Sequence, residues 1–110
     1  MAQKVNIIID QGTTFNTVFN LNDDSGQPID LSTYTGASQM RQYYTANTYY
    51  AFTVNTNSNG EITLSMTANT TNNISSGRYV YDVELTDQNG NKSRAVEGVI
   101  TVTPRVTRTQ

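Results

Sequence analysis

Apolar residues fall at every second position through most of this chain, the period of half-buried β-strands. Val5, Ile7 and Ile9 alternate with Lys4, Asn6 and Ile8, which predicts a first strand covered on both faces near Ile8 and broken at Gln11-Gly12. Phe15, Thr17, Phe19 and Leu21 form one face of a second strand, ended by the turn cluster Asn22-Asp23-Asp24-Ser25-Gly26. Pro28 before Ile29-Asp30-Leu31 predicts an edge segment, because proline cannot donate to a sheet ladder. Ala37 to Tyr43 reads as a strand with Ser38, Met40 and Gln42 on one side and Gln39, Arg41 and Tyr43 on the other.

The second half of the chain is patterned more cleanly. Phe52 and Val54, then Asn55 to Gly60, then Ile62, Leu64 and Met66 give a hairpin whose Asn-Gly supplies positive φ. Ala68 to Ser76 is polar apart from Ile74 and predicts a crossover loop with room for one helical turn. Tyr79, Tyr81, Val83 and Leu85 then hold one face in register over Arg78 to Asp87. After the turn at Gln88-Asn89-Gly90-Asn91, Val96, Gly98, Ile100 and Val102 share a face of the last strand, which Pro104 stops. Seven or so short strands with frequent turns predict an all-β fold, specifically an antiparallel sandwich or small barrel in one domain over residues 1–104, with an extended tail at 105–110.

Composition sharpens this picture. In 110 residues, hydrophobic side chains make up 35% and charged ones only 15%, so neutral Thr, Asn, Ser and Gln carry the polar balance. Seven Tyr and three Phe at a net charge of -2 set the chain apart from disordered sequences, which pair few aromatics with strong charge. So weak a net charge also predicts no nucleic-acid partner and no electrostatic membrane attachment. The opening Met1-Ala2-Gln3-Lys4 carries no apolar signal-peptide core, and synthesis in the cytoplasm of the producing cell is expected.

The chain holds no Cys and no His. A disulfide and a thiolate metal site are thereby excluded, and the commonest general base and nucleophile are missing. No cofactor, metal or catalytic residue is expected. Asp23-Asp24 and Asp87-Gln88-Asn89-Gly90-Asn91 resemble calcium loops only superficially, the second lacking the bidentate Glu of an EF-hand, and both read better as turns.

Two regions stand out as candidate interfaces. Tyr43, Tyr44, Tyr49 and Tyr50 crowd a short loop, where they serve either as cross-strand aromatics or as amphipathic contact area for a partner. The polar, β-branched C-terminus carries Arg105 and Arg108 and suits either a frayed end or an arm added to a neighbour's sheet edge.

Several short stretches also resemble a known family: Gln11-Gly12-Thr13-Thr14-Phe15, Gly26-Gln27-Pro28-Ile29-Asp30-Leu31, Gly77-Arg78-Tyr79-Val80-Tyr81-Asp82-Val83-Glu84-Leu85, and Ile100-Thr101-Val102-Thr103-Pro104. Their order and spacing resemble the immunoglobulin-like domains of tailed-phage structural proteins, especially the N-terminal domain of the upper baseplate protein family and small stand-alone virion proteins of marine myovirus-like phages. The resemblance implies a disulfide-free immunoglobulin-like sandwich, with Tyr79 where a tyrosine corner sits and Tyr81 where a disulfide-bearing domain carries cysteine. It further implies a non-enzymatic bacteriophage virion component of tail, baseplate, neck or capsid decoration, docked on other virion proteins in a symmetric multi-copy oligomer. The alternative expectation is an adhesion module that binds a host-surface glycan through the four tyrosines.

Overall fold

The computed structural model describes residues 3–106, and nearly all of its regular structure is strand. In chain order the elements are β1 (Gln3–Lys4), β2 (Ile7–Asp10), β3 (Phe15–Asn20), β4 (Thr35–Arg41), β5 (Tyr50–Thr56), β6 (Glu61–Met66), α1 (Ala68–Asn72), β7 (Gly77–Thr86) and β8 (Lys92–Thr103). The all-β class expected from the two-residue period is therefore observed.

The strands form one path, β1-β8-β7-β4-β5-β6-β3, with β2 also on β8. Midway along that path β5 changes partner. Its Tyr50, Ala51 and Phe52 pair with β4, whereas Thr53 to Thr56 pair with β6. The sheet curls there, and side chains from both halves meet in one core built on Ile9, Leu31, Met40, Ile62, Leu64, Ile74, Val83, Val96, Ile100 and Val102.

The expected antiparallel sheet is in fact mixed, because β1 and β2 both run parallel to β8. Parallel neighbours need a long crossover. Here nearly the whole chain lies between the two, so the topology meets that need without a dedicated helix. The first predicted strand is also split at Val5-Asn6, where the backbone steps over β8. Val5 donates to Glu97 O (3.0 Å), Asn6 Oδ1 accepts from Val99 N (3.2 Å), and the Tyr81 hydroxyl donates to Val5 O (2.7 Å). Only glycine fits beneath this step: a Cβ on Gly98 would lie 2.1 Å from Val5 O.

Other departures have equally local causes. Ile8 is 69% exposed rather than doubly covered, since nothing packs over the outer side of β2. Pro28 makes only an isolated bridge to Asn22, and the segment is held instead by Leu31 N donating to Asn57 O (3.1 Å). The Thr-rich crossover closes into α1, capped by Thr67, whose hydroxyl accepts from Thr70 N (3.3 Å). Fully buried Thr71 ties α1 to the β2–β3 turn by accepting from Gly12 N (3.1 Å) and donating to Thr13 O (2.7 Å).

Three turns share one construction. Asp23, Asn57 and Asp87 each accept, through the side-chain oxygen, from backbone N–H groups two and four residues on: Ser25 and Gln27, Asn59 and Glu61, Asn89 and Asn91. In each the residue three positions on is a glycine at positive φ: Gly26 (83°), Gly60 (74°) and Gly90 (85°). The suspected calcium-like loops are thus turns in which backbone donors occupy the carboxylate, and no cluster of metal-ligating residues exists among the described residues.

Gly98→Ala is expected to cost about 1–3 kcal/mol, because the new methyl must push backbone rather than a flexible side chain. Urea unfolding followed by circular dichroism measures it; an unchanged midpoint would show that the Val5 step yields freely.

Candidate interaction face

Outward-pointing residues of β2, β8, β7 and β4 form a continuous surface whose layout follows from register. Across it run the rows Ile8 and Thr101 with Arg78, then Val99, Val80 and Arg41, then Glu97, Asp82 and Gln39, then Arg94, Glu84 and Ala37. Apolar exposure concentrates in the first two rows, where Val99 lies 36% exposed beside Val80, near Ile8. Isolated surface valines mean little, but a contiguous patch ringed by charge marks a contact surface.

One irregularity sets the charge pattern. Between Val83 and Glu84 the β7–β8 register shifts, so Ala95 is an extra residue on β8 and Arg94 faces outward opposite Glu84. Strict alternation would have turned Arg94 inward with Val96. Outward, its Nε lies 3.3 Å from Asp82 Oδ2 and its Nη1 3.2 Å from Glu97 Oε1. Burial pushes the Asp82 carboxyl above its ordinary value, Glu84 and Glu97 add to that, and Arg94 and Arg41 offset it in part.

Arg41 anchors the tyrosine loop from the same face. It donates to Ala46 O and to Gln39 Oε1 (2.8 Å), and its guanidinium carbon sits 4.8 Å from the Tyr49 ring centroid. A shallow hollow of about 320 Å³ lies between this loop and the sheet, lined by Tyr44, Arg41, Val80, Asp82, Glu84 and Arg94.

The structure divides the four tyrosines instead of gathering them into one platform. Tyr44, 76% exposed, borders the sheet hollow, and Tyr49 covers Arg41. Tyr43 and Tyr50 line a second hollow of about 370 Å³ at the loop end, with Gln42, Asn47, Ser75 and Tyr79. Tyr50 and Tyr79 meet edge to face at 6.3 Å, and the Tyr79 hydroxyl donates to Ser75 O (2.7 Å). Burial pushes the Tyr81 phenol up to about 12, so it remains a donor to Val5 throughout the working range.

Arg105 is turned toward the domain. Its N–H donates to Gln11 Oε1 (3.2 Å) and its Nη1 to Asn72 Oδ1 (2.8 Å), while Gln11 Nε2 donates to Ile74 O (2.8 Å). Arg108 lies outside the described residues. The sequence pattern did not single out Ile8, Val80, Val99 and Arg94 as candidates; the signal available for the first three was their apolar character on faces otherwise polar.

No protein-family model matches the chain, and no curated protein matches it. Solved structures similar to the chain include two that superpose over nearly all of it. An internalin-like protein of Listeria monocytogenes superposes with a TM-score of 0.52 at 21% identity, over 93% of this chain and 28% of that one. The SrpA adhesin of Streptococcus sanguinis, solved as a point mutant, gives 0.52 at 18%, over 90% and 55%. The likeness is one of fold. This chain spans well under two thirds of either protein.

Two carboxylates give opposite acid responses. The raised Asp82 contributes stability that is present below the ordinary value of 3.8 and lost as pH rises through its folded value. Asp87, lowered chiefly by the Asn91 N–H, contributes stability present above 3.8 and lost as pH falls. The stability of wild type relative to Asp82→Asn should therefore fall between pH 3 and pH 6, and that relative to Asp87→Asn should rise, as urea titrations at both pH values would record. Two parallel trends would contradict these assignments.

Proposed function

We propose that this chain is an immunoglobulin-like attachment module of a tailed-phage virion, holding to neighbouring virion proteins through the outward face of β2, β8, β7 and β4. The observation that carries the attachment reading is that face itself: Ile8 and Val99 exposed beside half-buried Val80, bordered by Tyr44 and by the paired charges Arg94, Asp82 and Glu97. Partly apolar centres with polar, hydrogen-bonding rims are the anatomy of protein contacts. The chain has neither Cys nor His, the commonest nucleophile and general base, which favours a binding role.

Three features support the immunoglobulin-like part. The split first strand runs parallel to the last, β5 passes from one half of the sheet to the other, and Tyr79 at the start of β7 bonds a carbonyl four residues upstream, as a tyrosine corner does. Tyr81, two residues on, occupies the place of the cystine and secures the first strand by its hydroxyl. The similarity in fold to an adhesin and an internalin-like protein fits a binding module. The phage assignment rests on the sequence resemblance.

A second reading has its own observation. The loop-end hollow sets Tyr43, Tyr50 and Tyr79 beside the amides of Gln42 and Asn47, an arrangement of flat rings and hydrogen-bonding groups suited to a sugar.

Val80→Glu is expected to reduce the occupancy of this chain on assembled particles by about tenfold, a charge at the centre of a contact costing one to two kcal/mol or more. Quantitative mass spectrometry of purified particles measures it, with far-UV circular dichroism confirming the fold. Full occupancy of the variant would move attachment to another surface, and specific retention on a glycan array lost in Tyr43→Ala would favour the sugar reading.

A further inference from the structure

The dipeptide Asn-Gly occurs twice in the chain, at Asn59-Gly60 and Asn89-Gly90, and both times inside the same kind of turn. Asn59 N donates to Asn57 Oδ1 and Asn89 N to Asp87 Oδ1, while the glycine N–H closes the turn on Asn57 O (3.4 Å) or Asp87 O (3.0 Å). Each pair carries a reaction within itself. The asparagine amide carbon lies a five-membered ring away from the next backbone nitrogen, and glycine has no Cβ to shield that nitrogen.

We propose that Asn89 is a site of spontaneous deamidation in the folded protein, and that the fold protects Asn59. Gly90 N attacks Asn89 Cγ to form an N–C bond. The Cγ–Nδ2 bond breaks, and the proton lost from Gly90 N ends on the departing ammonia. Water then opens the resulting succinimide at either carbonyl, leaving an aspartyl or an isoaspartyl residue at position 89. Overall an amide and a water molecule become a carboxylic acid and ammonia, and nothing is oxidised or reduced. The inference stands apart from the attachment reading.

What separates the two sites is the freedom to reach the reactive geometry. Closing the ring rotates the Asn–Gly peptide about the asparagine Cα–C bond, so the turn must open. The closing bond by itself favours Asn59, being longer there, but the surroundings of Gly60 oppose it. Gly60 is buried, and its oxygen accepts from Leu21 N (2.7 Å). A Cβ on Gly60 would lie 2.4 Å from Leu21 O and 3.1 Å from Ile29 N, so main chain walls it in. Asn57 O also accepts from Leu31 N (3.1 Å), which ties the turn to a core residue. Asn89 and Gly90 are both exposed, and a Cβ on Gly90 would meet nothing within 4 Å beyond its chain neighbours. Opening that turn breaks bonds among Asp87, Asn89, Gly90 and Asn91 and leaves the core intact. Segments with few buried contacts open locally at far lower cost than those bound to the core.

The product adds a negative charge beside Asp87 in a chain whose net charge is -2. The isoaspartyl form also lengthens the main chain between Asp87 and Asn91, the two residues whose bonds close the β7–β8 hairpin.

The test is to age the purified chain at mildly alkaline pH, folded and in guanidinium chloride, and to map the loss of each amide by peptide mass spectrometry. In the folded chain Asn89 should convert about tenfold faster than Asn59 or more, the two differing in the cost of local opening. In denaturant both should convert at similar rates. Asn89→Gln should remove the acidic species that isoelectric focusing detects in aged wild type. Equal rates at the two sites in the folded chain, faster conversion of Asn59, or an Asn89 that converts only in denaturant would each overturn the assignment.

Discussion

The inward side of β7 is where the structure is held together. Tyr79, Tyr81, Val83 and Leu85 are all buried there, between β4 on one side and β8 on the other. In a chain without cysteine, burial must supply what a cross-sheet disulfide would, and Tyr81 adds a directional bond. Its ring lies in the core while its hydroxyl reaches Val5 O at 2.7 Å, so one side chain links the central strand to the first one. That link, the missing side chain at Gly98 and the step at Val5-Asn6 form one device, since each needs the others.

A rigid inward side makes the outward side informative. Alternation fixes which residues of β7 face solvent once the inner four are buried, so Arg78, Val80, Asp82 and Glu84 are presented in a fixed row. The bulge opposite Val83 and Glu84 then brings Arg94 to that row. The low overall charge of the chain makes this concentration of arginine and carboxylate distinctive, and the patch formed by Ile8, Val80 and Val99 lies directly beside it.

Strand positions were legible wherever one face is buried. The inward sets Tyr79 to Leu85, Val96 to Val102 and Ile62 to Met66 read directly from the sequence, as did the turns at Gly26, Gly60 and Gly90, because φ preference and side-chain capping are local. What depends on distant residues did not read. The parallel pairing of β2 with β8, the partner change in β5 and the division of the four tyrosines all follow from contacts across the chain. Arg94 is the sharpest case: alternation from Val96 places it inside, and only a one-residue bulge places it out. The candidate face was hidden for the same reason, since Ile8 and Val99 become neighbouring surface residues only when the first and last strands lie side by side.

The outer side of β7 and its neighbours is the surface by which we propose that this chain is held in place. Cryo-electron microscopy of an intact particle carrying the chain addresses it directly. Protein density in van der Waals contact with Val80, Val99 and Arg41 is the predicted result. A domain seated by its loops or by β3, with those three side chains open to solvent, would contradict it.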